Sequence, residues 1–187
     1  MFVEPGLEIA ESPAPSSLRS DADSKAERMD AGRHSNIIGV HLVLCDDTSI
    51  LLGRRLNTTF AQGQYHLPAG HLEAKPGESV TACAVREAAE ELGITIDPTD
   101  LELAHVLHLH DLVDGRDRLG VFFTVRTWAG QIRAAEPHKC AGWEWHPIDR
   151  LPDPLVDYTR AALVAIRAGV PYSEMGWPVP DGGERVS

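Results

Sequence analysis

Long apolar runs are missing from this sequence. No stretch approaches the ~18 consecutive apolar residues that cross a bilayer, so no helical membrane anchor is expected. The basic-then-apolar order of a secretory signal is also missing from the N-terminus. Cysteine is scarce. Cys45, Cys83 and Cys140 are odd in number, widely spaced and form no CxxC pair, which excludes a disulfide framework and predicts reduced thiols in the cytoplasm. Positive charge is short as well. Against 28 Asp and Glu there are 17 Lys and Arg, a formal net charge of −11 whose field would repel a nucleic-acid backbone. Neither nucleic acid nor membrane is expected as a partner. A small phosphorylated molecule remains admissible where divalent cations supply local positive charge.

What is present is the composition of an ordinary soluble globular protein, 43% hydrophobic and 24% charged over 187 residues. A core of roughly 130 to 140 residues can fold without disulfides. Residues 1–34 are rich in Ser, Pro, Ala and Asp without hydrophobic period, and are read as a flexible leader. Residues 35–168 carry the periodic pattern of a domain, and the Pro- and Gly-rich residues 169–187 read as a tail. Within the domain, Ile37 to Leu44 and Ile50 to Arg55 read as a hairpin around Asp46-Asp47. Further strands are predicted at 101–110, 119–128 and around 142–146, with a helix over 155–168. Strands, helix, strands and helix in that order predict an α/β domain with a mixed sheet.

The clearest helix runs from about Ser79 to Leu92, with Val80, Ala84, Val85, Ala88 and Leu92 as its apolar stripe and Gly93 as its stop. Glu87, Glu90 and Glu91 stand at i, i+3 and i+4 of it, so their carboxylates crowd one side. Like charges so placed cost an isolated helix roughly 0.2–0.5 kcal/mol per pair. The helix dipole adds to that cost near the C-terminus. The bland alternative is a solvated acidic face with a plain Arg86–Glu90 ion pair. A hard divalent cation such as Mg²⁺ would remove the penalty by taking oxygen ligands, and can polarise a phosphoryl group and activate water.

The residues around the cluster decide between these readings. From Glu78, seven residues lead to Arg86, followed by Glu87, Glu90, Glu91, Gly93 and Ile94. With the approach Leu67-Pro68-Ala69-Gly70-His71-Leu72-Glu73, this segment resembles the Nudix box, and the strand pattern extends the resemblance over about residues 36–168. One departure stands out. Seven residues separate Gly70 from Glu78 where the family has five, as though two of Ala74, Lys75 and Pro76 were inserted. The insertion falls before the helix, so a bulged loop with retained activity is expected.

The resemblance implies a Nudix-type α/β/α sandwich with a mixed β-sheet. It implies Mg²⁺ or Mn²⁺ held by Glu87, Glu90, Glu91 and the Ala69 carbonyl, with Arg86 orienting a carboxylate. Glu78 would brace the loop and Gly93 would end the helix. Gly70 and His71 would lie against substrate. The family often uses one more carboxylate outside the box. Glu136 is preferred here, with Asp111, Asp114 and Asp117 as rivals and a plain surface role as the alternative for Glu136.

Weaker signals surround this core. Arg54 and Arg55 end the second strand, and strand alternation lets one of the two face a pocket and hold a phosphate or base edge. His105, His108 and His110 look like a ligand set, but alternation splits His105 from the other two, and pocket lining is the favoured reading. Trp143 and Trp145 share a face and read as core, as does Cys83.

The implied reaction is hydrolysis of a diphosphate linkage in a nucleoside diphosphate-X compound. Positions 108–113 show neither the proline nor the tyrosine of the ADP-ribose and dinucleoside polyphosphate subfamilies, and 56–69 lacks the coenzyme A signature. By exclusion the chain looks most similar to the small nucleoside-triphosphate pyrophosphohydrolases. A prenyl diphosphate or sugar-nucleotide hydrolase, and a non-catalytic ligand-sensing domain, are the other readings. A homodimer is one arrangement considered for the chain.

Overall fold

The computed structural model describes residues 34–73, 77–111 and 114–178. The expected leader, the site of the loop insertion and the end of the expected tail lie outside the described residues.

Among the described residues, eight strands form two sheets. Strands β1 (Ile37–Leu44), β4 (Ala69–His71), β5 (Glu102–His110), β6 (Asp117–Val125) and β8 (Tyr172–Met175) make a five-stranded mixed sheet in the order β4-β1-β6-β5-β8. Pairing of β1 with β6 and of β5 with β8 is parallel, whereas β1–β4 and β5–β6 are antiparallel. Strands β2 (Ser49–Arg55), β3 (Tyr65–His66) and β7 (Cys140–Pro147) make an antiparallel sheet in the order β3-β2-β7.

Alternation along the central strands sorts the core onto two faces. Val40, Leu42 and Leu44 of β1, with Val121, Phe123 and Val125 of β6, pack against Cys83, Ala84, Ala88 and Leu92 of helix α1 (Val80–Glu87 and its continuation Ala88–Leu92). Val43 and Phe122, on the opposite face, pack with Leu107 against Ala162 and Leu163 of helix α2 (Asp157–Arg167). A helix on each face of a mixed sheet is the α/β/α arrangement expected, with the three-stranded sheet added to it.

Besides the short strands β3 and β4, which the sequence reading leaves in a loop, three elements differ from it. The first hairpin does not form as regular pairing. Asp46 Oδ1 caps the turn by accepting from the Thr48 and Ser49 N–H groups at 2.7 Å each, as the Asp-Asp signal predicts. Beyond it β1 is already paired on both edges, by β6 and β4, so β2 is left to join β3 and β7. The two strands meet at the isolated bridge Cys45–Ile50. Secondly, residues 172–175, expected in a tail, form β8. His105, buried in β5, explains why: its Nδ1 lies 2.9 Å from the Val170 carbonyl and its Nε2 2.9 Å from Ser173 Oγ. The Val106 N–H adds a bond to the Pro171 carbonyl at 2.9 Å.

Thirdly, the acidic helix is α-helical only to Glu87 and widens into a π turn over Ala88–Leu92. Ser79 caps its start, accepting from the Ala82 N–H at 3.1 Å, and Gly93 ends it in the left-handed region at φ 66°. The wide turn is held by outside partners. The Glu91 carbonyl takes bonds from Ala135 N–H (3.0 Å) and Trp143 Nε1 (3.3 Å), and the Leu92 carbonyl one from Arg133 N–H (3.0 Å). These bonds satisfy carbonyls that a helix end leaves bare. Wide turns of this kind recur at functional sites.

No described helix is long and apolar enough to cross a membrane. All three cysteines are buried and free of disulfides.

Candidate active site

The α1 carboxylates open onto a cavity of about 530 Å³ between the two sheets. Its acidic end carries Glu87, Glu90, Glu91 and Glu136. Ala69, Gly70 and His71 of β4 form the rim beside them.

Arg86 organises the box. Its Nε donates to Glu78 Oε1 (2.8 Å), its Nη1 to Glu87 Oε1 (2.6 Å) and Glu90 Oε2 (3.1 Å), and its Nη2 to the His71 carbonyl (3.2 Å). The second Glu78 oxygen accepts from the Glu73 N–H at 2.7 Å. One guanidinium thus ties the helix, β4 and the loop before the helix together. Its charge is strengthened first by the Glu78 bond and then by Glu87. Removing it would strand partly buried carboxylates, an event that costs about 3 kcal/mol. Arg86→Met is expected to lower Tm by roughly 6–12 °C, read by thermal denaturation. A Tm within 1–2 °C of wild type, roughly the effect of a surface substitution, would remove Arg86 from this bracing role.

The acidic residues occupy different environments. Glu87 is buried at 8% exposure, Glu91 is half-buried and Glu90 is exposed. Burial raises the Glu87 carboxyl, with Arg86 opposing. Glu91 accepts from the Ala69 N–H at 3.1 Å, yet burial and the neighbouring Glu87 and Glu136 push its carboxyl up to about 8. Among the described residues no cationic side chain pairs with Glu91. No three carboxylate, His or Cys side chains among them stand pre-gathered on one point either. Arg86 draws Glu87 and Glu90 to itself, and Glu91 turns to the backbone of β4.

The donor set nonetheless fits a hard divalent cation. Oxygen donors of high charge surround one cavity, and a carboxylate this desolvated is stabilised by a cation or a proton. The backbone is shaped for it too. A Cβ at Gly70 would overlap the Glu87 carboxylate, so glycine there is a requirement of space and not of backbone angle.

Glu136 reaches the cavity on the segment that follows the π turn. The bonds from Arg133 and Ala135 to the helix end fix that segment's course. The Glu136 carbonyl accepts from the Lys139 and Cys140 N–H groups, closing a turn, and its Oε1 takes a 2.7 Å bond from Lys139 Nζ. Lys139 also lines the cavity, where Glu136, Glu91 and Glu87 raise its affinity for a proton. Of the three rivals, Asp111 lines the cavity and pairs with Arg118 at 2.8 Å. Asp114 pairs with Arg116 and Arg118, and Asp117 meets His110 at 2.6 Å, both off the cavity wall.

Alternation splits the two arginines as expected. Arg55 lines the cavity, with its Nε on the Phe60 carbonyl at 3.1 Å, while Arg54 turns outward to the Gly63 carbonyl at 3.0 Å. The three histidines do not meet, and contrary to the pocket-lining expectation none of them is on the cavity wall. His105 is in the core, and His108 and His110 pack on Trp177 with ring centroids 4.4 and 5.2 Å away. Trp143 lines the cavity and packs on the core, but Trp145 is 43% exposed and stacks on Trp128, contrary to its core reading. Its cross-strand neighbour Leu51 turns into the core, while the Trp145 ring lies on Trp128, with centroids 6.1 Å apart, and keeps its outer side in solvent.

Sequence reasoning missed the far wall of the cavity. His41, Phe60, Phe122 and Tyr158 line it with Leu107 and Leu109. Alternation in β1 could have placed His41 opposite Val40 and Leu42. The aromatic partners come from distant elements and leave no local signal.

Comparison with known proteins agrees with this geometry. The NUDIX domain family model matches residues 35–165. The chain belongs to the Nudix family. Its fold is similar to that of a MutT NUDIX hydrolase from Burkholderia pseudomallei, at 28% identity and a TM-score of 0.63, over 70% of this chain and 98% of that one. A NUDIX hydrolase from Nitrosomonas europaea is similar at 23% identity and TM-score 0.59, over 74% and 93% of the two chains. A MutT protein from Methanosarcina mazei is similar at 20% identity and TM-score 0.60, over 72% and 95%. The protein is a Nudix hydrolase, and the Nudix box is the loop and helix from Gly70 to Ile94 described above.

Proposed function

We propose that this Nudix hydrolase cleaves a nucleoside triphosphate, or a modified one, to the monophosphate and pyrophosphate, with Mg²⁺ or Mn²⁺. The observation that carries this reading is one cavity with a carboxylate cluster at one end and an aromatic wall at the other. Phosphates suit the first end and a heterocycle the second. A solved relative called a MutT NUDIX hydrolase adds support.

In this reading Glu87, Glu90, Glu91 and the Ala69 carbonyl would hold the cation, which would supply positive charge to polarise the phosphoryl group. The chain's own groups do the rest. Lys139 and Arg55 orient phosphate oxygens at the cavity mouth. Lys139 already engages Oε1 of Glu136, which leaves Oε2 to take a proton from the attacking water. The new bond joins water oxygen to the α-phosphorus, the α–β bridging bond breaks, and pyrophosphate leaves with the electron pair. Arg86 keeps Glu87 and Glu90 aligned through the cycle, and Glu78 keeps Arg86 in place. The reading includes a cytoplasmic setting, for which three buried free thiols are suited.

The test is pyrophosphate and phosphate release in Mg²⁺ over nucleoside triphosphates, sugar nucleotides and prenyl diphosphates. Nucleoside triphosphates are expected to dominate, with Glu90→Gln losing turnover at unchanged circular dichroism. Preference for prenyl diphosphates, or wild-type rates in Glu90→Gln, would overturn the substrate or the helix assignment respectively. No turnover on any of them would favour a ligand-sensing role.

A further inference from the structure

The aromatic wall contains an imidazole that the reaction above does not use. His41 is 8% exposed and lies in β1 directly between Phe122 of β6 and Ala69 of β4 in register. Its ring stacks on Phe122, with centroids 4.4 Å apart and planes at 12°, and takes the edge of Tyr158 at 5.5 Å and 60°. Buried polar groups in folded proteins are nearly always hydrogen-bonded. Among the described residues neither ring nitrogen of His41 has such a partner, and neither is sealed in the core as His66 Nε2 is. Both therefore remain open where the imidazole lines the cavity.

The backbone beside the ring is cleared of side chains. A Cβ at Gly39 would come within 3.2 Å of His41 Nε2, and one at Gly120 within 3.6 Å. Flanking this position, the rings of Phe60 and Tyr158 are parallel to within 9° with centroids 6.4 Å apart. Two parallel aromatic faces on one wall offer a flat heterocycle apolar surface to stack against. Phe60 is 49% exposed, so its ring has room to adjust to an incoming one.

We propose that His41 is the specificity-determining residue of this site, reading the hydrogen-bonding edge of a nucleobase stacked against Phe60 and Tyr158. The inference rests on the nucleotide reading above and deepens it. Burial between Phe122 and Tyr158 favours the uncharged form of the ring. A neutral imidazole offers one N–H donor and one bare nitrogen acceptor. A base edge that matches both satisfies the pair, and a mismatched one leaves a buried polar group unpaired, which gives discrimination and not merely affinity. An isoprenoid chain would satisfy neither nitrogen. Stacking on Phe122 fixes the ring plane, so selectivity is set by the ring's edge.

The experiment is calorimetric titration in EDTA of the full chain with the 5′-monophosphates of adenosine, guanosine, cytidine and uridine, and with ribose 5-phosphate as the base-free probe. Wild type is expected to bind one monophosphate at least ~10-fold more tightly than the others and than ribose 5-phosphate. His41→Phe keeps the stacking and removes both nitrogens. It is expected to lose about 10-fold on the preferred monophosphate, narrow the spread among the four, and leave ribose 5-phosphate unchanged. His41→Gln, which keeps a donor and an acceptor, should recover part of the loss. Gly39→Ala, which pushes on Nε2 without deleting it, should narrow the spread too, and it decides the matter if His41→Phe does not fold. A retained spread in the folded variants overturns the role of His41 while leaving the nucleotide reading intact. So does an equal loss on ribose 5-phosphate, which marks a structural effect. If wild type binds no monophosphate better than ribose 5-phosphate, both readings fall.

Discussion

Glu91→Gln is expected to lower kcat by about 10²–10³-fold and at the same time to stabilise the cation-free protein at alkaline pH. Both effects come from one side chain that is half-buried and has no cationic side-chain partner among the described residues. Its carboxyl titrates near 4.5 in the unfolded chain and near 8 in the fold, with burial as the chief cause. Between those values the unfolded chain has released its proton while the folded protein still holds it. The folded state therefore binds more protons, and stability falls as pH rises from about 4.5 to about 8, then levels. Each pH unit of such a shift corresponds to about 1.4 kcal/mol. Even a third of the shift makes the glutamine variant more stable at pH 8.5 by at least about 1 kcal/mol, or roughly 3 °C in Tm. Thermal melts in EDTA across pH 5 to about 9 check this. Added Mg²⁺ should raise the wild-type Tm at the alkaline end and leave the variant's nearly unmoved, because a cation stabilises N only if N binds it. Superimposable pH profiles for the two proteins would mean that Glu91 carries no strained charge.

Gly70→Ala is expected to reduce kcat by roughly 100-fold and to cost about 1–3 kcal/mol of stability. The added methyl would occupy the space now filled by the Glu87 carboxylate. Glu87 cannot retreat freely, since Arg86 Nη1 holds its Oε1 at 2.6 Å and the residue is buried. Either β4 moves away from the helix or the carboxylate swings off its position. Denaturant unfolding and steady-state kinetics of Gly70→Ala, Glu87→Ala and the double variant separate the two costs. In the double variant stability should recover towards that of Glu87→Ala alone, whereas turnover stays lost. Additive stability losses would show that the two groups do not compete for one space.

The two variants explain why part of the site could be read along the chain and part could not. Glu87, Glu90, Glu91, Arg86 and Glu78 lie within fourteen residues, on one helix and the loop leading into it, so helical spacing alone brings them together. Gly70 sits in an adjoining segment whose order is set by the same motif. Glu136 was legible as the preferred candidate, with three aspartates as rivals. What singled out its place was the pair of backbone bonds from Arg133 and Ala135 to the end of the π turn. The π turn itself left no pattern, because it depends on Trp143 from β7, 52 residues away from the carbonyl it bonds.

The β1–β2 hairpin failed for a related reason. Local turn chemistry at Asp46 was read correctly, but strand partners are a competition among all strands, and β6 and β4 took both edges of β1. The stretch read as a tail gained a strand because a buried histidine in β5 needed partners for both ring nitrogens and found Val170 and Ser173.

By itself, then, the chain's order of residues determined the mixed α/β class, the acidic helix with its cap and its stop, and the crowding of carboxylates on one side. All of these follow from interactions between residues a few positions apart. Tertiary structure alone decided which carboxylates lose their water, that Gly70 must lack a side chain, and that His41 and Tyr158 share a wall with Phe60 and Phe122. Desolvation and close contact are properties of neighbours in space, and those neighbours come from strands and helices scattered between residues 39 and 158.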